Sequence, residues 1–429
     1  MVSALVAMVL WVQDPETEQL KKRVTELEKK LEKVESPREM PQVPEGTDLP
    51  KLAQDPKRDA GEVYSKPFLA RFGRNVYLGG YIDLEYFNNE DNNNDTFDQH
   101  RLVPFIYADV SKNIKMAAEI EIEHGNGTEL GVEFAHVDYW MHDLINFRAG
   151  IILDPLGKFN LVHDAPYQDL TLRPLVDEFI IPVVLREPGA GFFGTLDADP
   201  WEFDYEIYVT NGFKGLSKAG VTNISRTAGV RNARPHTTAF GSPAYRDFND
   251  NKAVVGRVSA SPFLGLELGG SAHSGKYDES GDNRLTIWAV DWTVNVGGVA
   301  RALGADAAFL NRFEVVGEYA EALIERNAEA ELAGVPDDFD GYYIEGRVHF
   351  MPDFLMFIPG ASEESTFTLV YRWDSIDLDG AERTAHTVGL NFRPIEDTVL
   401  KFEYQWREED GLTPEIDNDA FVASIATYF

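Results

Sequence analysis

Hydrophobic and polar residues alternate with a period of two along most of the chain, from about Lys66 to the last residue. Phe367, Leu369, Tyr371 and Trp373 fall on one face of such a segment, and Thr368, Val370, Arg372 and Asp374 on the other. Leu400, Phe402, Tyr404 and Trp406 oppose Lys401, Glu403 and Gln405 in the same way, and Val388, Leu390 and Phe392 are set against His386, Asn391 and Arg393. Earlier segments repeat it: Trp201, Phe203, Tyr205 and Ile207 against Glu202, Asp204 and Glu206, and Trp288, Val290, Trp292 and Val294 against Asp291 and Thr293. In a soluble sandwich the apolar face would meet a second sheet; in a membrane barrel it meets lipid, with aromatic girdles at the strand ends.

Segments of this kind start near Val76, Ile106, Met116, Val132, Phe147, Ala190, Trp201, Val254, Leu264, Ile287, Phe313, Tyr342, Phe367, Ala385, Val399 and Phe421. That even count returns both ends of the barrel to one side. Short links at Ser111–Asn113, His142–Leu144, Ala198–Pro200, Ser261–Pro262 and Arg393–Asp397 alternate with long polar links at Asn88–Asp98, Asp154–Gly189, Asn211–Asn251, Ser274–Asn283, Arg326–Asp340 and Glu408–Asn418. Short turns at one rim and long loops at the other are the habit of outer-membrane barrels. Two links on the short-turn side, Gly297–Leu310 and Met351–Glu364, exceed the rule. The predicted fold class is all-β, a transmembrane antiparallel β-barrel of about 16 strands preceded by a short α-helical coiled coil. The last segment, Phe421–Phe429, ends on an aromatic residue, which resembles the terminal insertion signal of bacterial outer-membrane barrels.

Ahead of the barrel the pattern changes. Val2–Val12 is an apolar run of signal-peptide length followed by Gln13, Asp14 and Pro15, so residues 1–13 read as an export signal, the alternative being a short buried helix or strand. Residues 14–35 read as a periplasmic coiled coil. Leu20, Val24, Leu27, Leu31 and Val34 repeat at heptad spacing, with Arg23 and Lys30 placed to pair with Glu28 and Glu35 of a parallel partner; the alternative is a lone amphipathic helix. Residues 36–65, with Pro37, Pro41, Pro44, Pro50 and Pro56, read as an extended linker, and residues 66–429 as the barrel.

Charge and composition narrow the function. A net charge of -33 repels phosphate backbones and sets nucleic acid aside as a partner. The absence of cysteine excludes disulfides, thiolate metal sites and cysteine nucleophiles. No stretch of about eighteen or more apolar residues is present, so a membrane span has to be built from strands. His-Glu-x-x-His, Gly-x-Ser-x-Gly, phosphate-loop and dinucleotide motifs are missing; no catalytic residue, cofactor or resident metal is assigned and an enzyme is not expected. The acidic segments Asn89–Asp95, Asp278–Asp282 and Asp337–Asp340 could hold a divalent cation through oxygen ligands, although solvated loop charge is the simpler reading.

Three sets of residues resemble a known family. Gly150-Ile-Ile-Leu-Asp-Pro155-Leu-Gly157-Lys158, followed by Arg186-Glu-Pro-Gly189-Ala-Gly191-Phe-Phe-Gly194, looks like a strand, inward loop and returning strand of the phosphate-selective porin O and P family of trimeric sixteen-stranded porins. Tyr208-Val-Thr-Asn211-Gly212 is similar to a strand end of that family. Tyr371-Arg372-Trp-Asp374-Ser-Ile-Asp377, with Val388–Phe392 and Leu400–Tyr404, is similar to its closing strands. The resemblance covers about Arg71–Phe429.

It implies that the Asp154–Gly189 connector folds into the lumen, where Lys158, His163, Asp164, Asp169, Arg173, Asp177, Glu178 and Arg186, with Asp154 and Glu187 among the loop's further acids, become candidates for a pore constriction. Candidate lumen residues are Glu119, Glu121, Glu206, Arg257, Arg347 and Arg372. Phosphate selection needs clustered Arg and Lys with few carboxylates, and this set is mixed and acid-rich, so weak cation preference or little selectivity is expected. The function expected is passive diffusion of small polar solutes or ions across a bacterial outer membrane. The barrel would contact outer-membrane lipid as a homotrimer, with the stalk in the periplasm locking the trimer or reaching peptidoglycan. Competing readings are an outer-membrane hydrolase with a Ser–His pair on the barrel wall and a soluble carbohydrate-binding β protein.

Overall fold

A computed structural model describes residues 70–72, 75–89, 95–124, 128–199, 201–235, 247, 249–305, 308–358, 361–362, 364–411 and 418–429. The export signal, the coiled coil with Leu20, Val24, Leu27, Leu31 and Val34, and the linker lie outside the described residues.

The strands are β1 (Ala70–Phe72), β2 (Val76–Asn89), β3 (Thr96–Asp109), β4 (Ile114–His124), β5 (Thr128–His142), β6 (Ile145–Leu153), β7 (Arg186–Ala198), β8 (Trp201–Thr210), β9 (Ala253–Phe263), β10 (Leu266–Lys276), β11 (Arg284–Asn295), β12 (Phe313–Ile324), β13 (Asp338–Phe350), β14 (Thr366–Asp377), β15 (Glu382–Ile395), β16 (Thr398–Glu409) and β17 (Ala420–Tyr428). Each of β2 to β17 pairs antiparallel with its chain neighbours, and β17 returns to β2, from Ala420 opposite Asn89 to Tyr428 opposite Tyr81. Sixteen strands therefore close on themselves. The short β1 pairs with the start of β2, Phe72 opposite Val76.

The alternation seen in the sequence becomes two surfaces. On β14, Leu369, Tyr371 and Trp373 are 47, 48 and 40% exposed, whereas Thr368, Val370, Arg372 and Asp374 are each 1% exposed or less. A continuous apolar outer face on a closed barrel is the surface that lipid covers, because a barrel leaves no backbone polar group at an edge. Aromatic rings collect at both ends of this belt. Phe350, Phe367 and Phe392 stack near the short-turn rim, and Tyr342, Trp373, His386 and Tyr371 gather toward the other. His386 belongs to this outer belt and not to the wet face to which the sequence reading assigned it. It shares parity with Val388, and its Nδ1 lies 2.8 Å from the Tyr371 hydroxyl.

Further corrections concern connector bounds. Ser261 and Pro262 stay inside β9, where a register shift against β10 absorbs them, and the turn falls on Leu264 and Gly265 instead. Gly265 supplies the φ of +106° that this turn requires, and Pro262 sits where a missing N–H costs no ladder bond. The Asp154–Gly189 connector is shorter than expected at its far end, because Arg186–Gly189 pair with Leu153–Gly150. The two long links on the short-turn side carry helix Val296–Ala302 and the 3-10 turns Ala308–Arg312 and Asp353–Leu355.

Arginine in the middle of a lipid-facing barrel surface costs about 2–4 kcal/mol. Leu390→Arg, on the outer face of β15, is expected to lower unfolding free energy in lipid vesicles by about that amount. A change below about 0.5 kcal/mol would contradict a lipid-facing belt.

Candidate functional site

Residues 154–185 leave β6, cross the barrel interior and return to β7. Apolar content explains why they lie inside. Leu156, Leu175, Val176, Ile180, Ile181, Val183 and Leu185 are at most 2% exposed. On one side Phe159, Val183 and Val184 cluster with the inward rings Tyr81, Phe105, Tyr107 and Phe134 of β2, β3 and β5. On the other, helix Leu175–Phe179 joins Val316, Ala320, Tyr343 and Ile376 from the far wall, together with Phe213, Leu216, Ile224 and Val230 from the 211–252 connector. The inner wall is thus not uniformly wet. The signal was present in β3, where Leu102–Tyr107 is apolar on both faces.

An irregular segment inside a barrel has to find partners for its backbone. Here charged wall side chains provide them. The Glu403 carboxylate accepts from Thr171 N at 2.7 Å and Leu172 N at 2.8 Å. Arg372 donates to the carbonyls of Leu172 and Arg173 at 2.8 and 3.1 Å and to Asp374 at 2.9 Å, while Asp374 accepts from Leu175 N. Arg393 donates to the carbonyl of Pro166 and to the carboxylate of Asp169, and Lys401 to the carbonyls of Ala165 and Leu170. Across the barrel Glu318 accepts from Lys158 N and Phe159 N. Gly157 makes that approach possible: its φ is +69°, and a Cβ there would meet the Glu318 carboxylate at 2.1 Å. Asn160 ties the connector's two ends, bonding the carbonyls of Asp154 and Leu185 and accepting from Leu185 N.

Most candidate residues are therefore engaged and buried. Lys158 donates to Glu267 at 2.5 Å and Thr293 at 3.2 Å. His163 lies between the Asn160 carbonyl and Glu133, and Asp164 accepts from Tyr428. Asp169 pairs with Arg347 and Arg393, and Glu178 with Arg231. Among the lumen candidates, Glu119 accepts from Tyr107, Glu206 faces Arg148, Arg257 grips Asp291, Arg347 holds Glu345 at 2.6 Å, and Glu121 lies 3.9 Å from Arg186. Of the acidic outer segments, Asp278 caps its own turn at Asp282 and Asn283, Asp337 pairs with Arg326, and residues 90–94 lie outside the described set.

A different group stands out at the accessible edge of the connector. Arg173 and Arg234 both donate to the carbonyl of Val183, at 2.7 and 2.9 Å, and Arg186 lies close enough to act electrostatically on Arg234. All three are half-buried. Burial first, then the positive charges of Arg173, Arg231 and Arg186, pulls the Arg234 guanidinium down to about 10. Burial and Arg101 likewise lower Arg173. Arg234 was missed in the sequence, although Arg226, Arg231 and Arg234 form a basic run in an acidic chain.

Two connector carboxyls respond oppositely to their surroundings. Burial raises Asp169, but Arg347 and Arg393 outweigh it and hold the group below the usual carboxylate range. Burial and then Glu318 push Asp177 well above it, and neither Asp177 oxygen has a hydrogen-bond partner.

Removing one member of a buried ion pair costs about 3–5 kcal/mol. Arg372→Ala is expected to destabilise the barrel by about that much and to open the connector to proteolysis, and Asp374→Asn in the same chain should recover part of the loss. Equal losses in the single and double variants would remove Arg372 as an anchor. The two carboxyls should differ in pH dependence. Asp169 lends stability above its unfolded value of about 3.9, and this is lost as pH falls through the lower folded value. Asp169→Asn should therefore weaken the protein at pH 7 and converge with wild type in acid. Asp177 is penalised as pH rises above about 3.9, so Asp177→Asn should be the more stable chain at pH 7, with the gap closing in acid. Unfolding midpoints measured across pH check both signs, and a gap that does not change with pH contradicts the assignment.

No family model matches the chain. A protein of Aquifex aeolicus (strain VF5), described as uncharacterized, is 26% identical over 392 residues, 88% of this chain and 85% of the relative. Among solved structures, the anion-selective porin from Comamonas acidovorans aligns with a TM-score of 0.52 at 10% identity, over 82% of this chain and 99% of that one. The outer membrane channel DcaP of Acinetobacter baumannii gives 0.51 at 11%, over 82% and 97%. In-vitro folded OmpT, an outer membrane protein of Vibrio cholerae, gives 0.50 at 10%, over 85% and 100%. At these identities the likeness is one of fold: a closed sixteen-strand antiparallel barrel of the kind found in outer-membrane porins.

Proposed function

We propose that this chain is a passive diffusion channel of a bacterial outer membrane, admitting small polar solutes and ions past the inward connector, and that it works as a homotrimer. One observation carries the reading: a lipid-compatible barrel whose lumen is narrowed by a connector with Arg173, Arg186 and Arg234 at its accessible edge. Many acidic groups of the inner wall spend their charge on arginines or on connector N–H groups. The arginine edge gathers positive charge, with Arg173, Arg231 and Arg186 all acting on Arg234 beside the larger effect of its burial. We therefore read the throat as favouring anions, in place of the weak cation preference that the acid-rich strands suggested. The name of the anion-selective porin supports the same direction, and that of the DcaP channel supports the channel reading.

Bilayer recording under a salt gradient tests it. Refolded wild-type protein should give stepwise conductance in groups of three with an anion-directed reversal potential, and Arg173→Ala with Arg234→Ala should move that potential toward cations. A folded barrel without conductance steps would overturn the channel reading. Steps with a cation-directed potential, unmoved by the double substitution, would overturn the arginine throat.

A further inference from the structure

At the root of the inward connector, three buried side chains converge. Asp154 is the first residue beyond β6, Glu187 the second residue of β7, and His273 lies on the inner face of β10. Their exposures are 0, 0 and 1%. One ligand atom from each lies within 4.8 Å of the other two. His273 Nε2 is 2.8 Å from Glu187 Oε1, and the other Glu187 oxygen accepts from Gly212 N. Both carboxylate oxygens of Asp154 lack a hydrogen-bond partner, as does His273 Nδ1.

This arrangement is costly as it stands. A buried carboxylate without donors pays a large desolvation penalty, and a second carboxylate beside it adds repulsion. A single shared proton can bridge Asp154 to Glu187, whose oxygens each take one further bond here, but it leaves the other Asp154 oxygen bare. A cation between the three groups satisfies Asp154, neutralises the pair and uses the imidazole. The 2.8 Å between His273 Nε2 and Glu187 Oε1 is a hydrogen-bond length, and a tetrahedral ion held by both at about 2.1 Å would spread these donors to about 3.4 Å, so the ion takes the place of that hydrogen bond with a shift of a few tenths of an ångström.

We propose that Asp154, Glu187 and His273 form a buried site for a first-row divalent metal ion, which fixes both roots of the inward connector to β10. Two carboxylates and an imidazole suit Zn2+ or Mn2+ better than Ca2+, which takes about six to eight oxygen ligands. The ion is captured as the connector seats, because the finished site is closed to solvent. Retention does not depend on whether the barrel conducts.

The test uses the full chain, refolded in detergent with either Zn2+ or a chelator and then desalted. Wild type refolded with Zn2+ should retain one ion per chain by elemental analysis and unfold at a higher temperature than the chelator-treated sample. Asp154→Asn and His273→Gln, each verified as a folded barrel by circular dichroism, should lose the bound ion and the Zn2+-dependent rise in midpoint. No stoichiometric Zn2+ on wild type would overturn the site in favour of a shared proton. Equal retention by wild type and both variants would assign the ion to other acidic groups and overturn it as well.

Discussion

Every backbone polar group placed where water is scarce has to meet a partner, and this constraint shapes both surfaces of the barrel wall. On the outside it is met by closure: β17 lies against β2, so no strand edge faces the apolar belt. On the inside it is met by side chains. Residues 154–185 follow no regular ladder, and their N–H and C=O groups are taken by Glu403, Arg372, Arg393, Lys401 and Glu318 projecting from the wall. Each such charge-assisted bond contributes about 1.5–3 kcal/mol, and leaving a partner unmatched costs more.

This division changes what the lumen charges mean. A charged residue on the wet face of a porin strand is easily taken for part of a selectivity filter. Here Arg372 is 1% exposed and bonded to two carbonyls of the connector, so its charge serves position. Arg257 with Asp291, and Arg347 with Glu345 and Asp169, are similarly balanced within the wall. Net charge, at -33, is thus a poor guide to the local potential where a solute would pass. The arginines at the accessible edge, with Glu121 beside Arg186, come from three separate parts of the chain: Arg173 from the connector, Arg186 from the start of β7 and Arg234 from the 211–252 segment.

The strand pattern was legible because period-two alternation over long segments reports directly which face is apolar, and all sixteen expected segments correspond to strands β2 to β17. Link parity followed for the same reason. The turn expected at Ser261–Pro262 lies further on, because a register shift lets β9 continue to Phe263, just ahead of Leu264 and Gly265. His386 was misassigned despite its parity, because its polarity was weighed above its position beside Tyr371. The grouping of Arg173 with Arg234, or of Asp154 with His273, could not be read from spacing, since each is created by a connector folding across the barrel. Sequence reports the period of a strand well and the destination of a long loop poorly.

The connector is held by unlike forces on its two flanks, and this asymmetry bears on how the throat is set. Against β14 to β16 its backbone is gripped by directional hydrogen bonds that fix position. Against β2, β3 and β5 it rests chiefly on Tyr81, Phe105, Tyr107 and Phe134 through Phe159, Val183 and Val184, a packing contact without direction, beside the polar contact of His163 with Glu133. Val183, whose carbonyl receives both Arg173 and Arg234, sits on the apolar flank. The polar clamp therefore sets where the connector lies, while the packing behind Val183 sets how far the arginine edge projects into the path. A change of side-chain volume in that aromatic cluster would alter the throat without touching a charge, through the volume sensitivity of close-packed interiors.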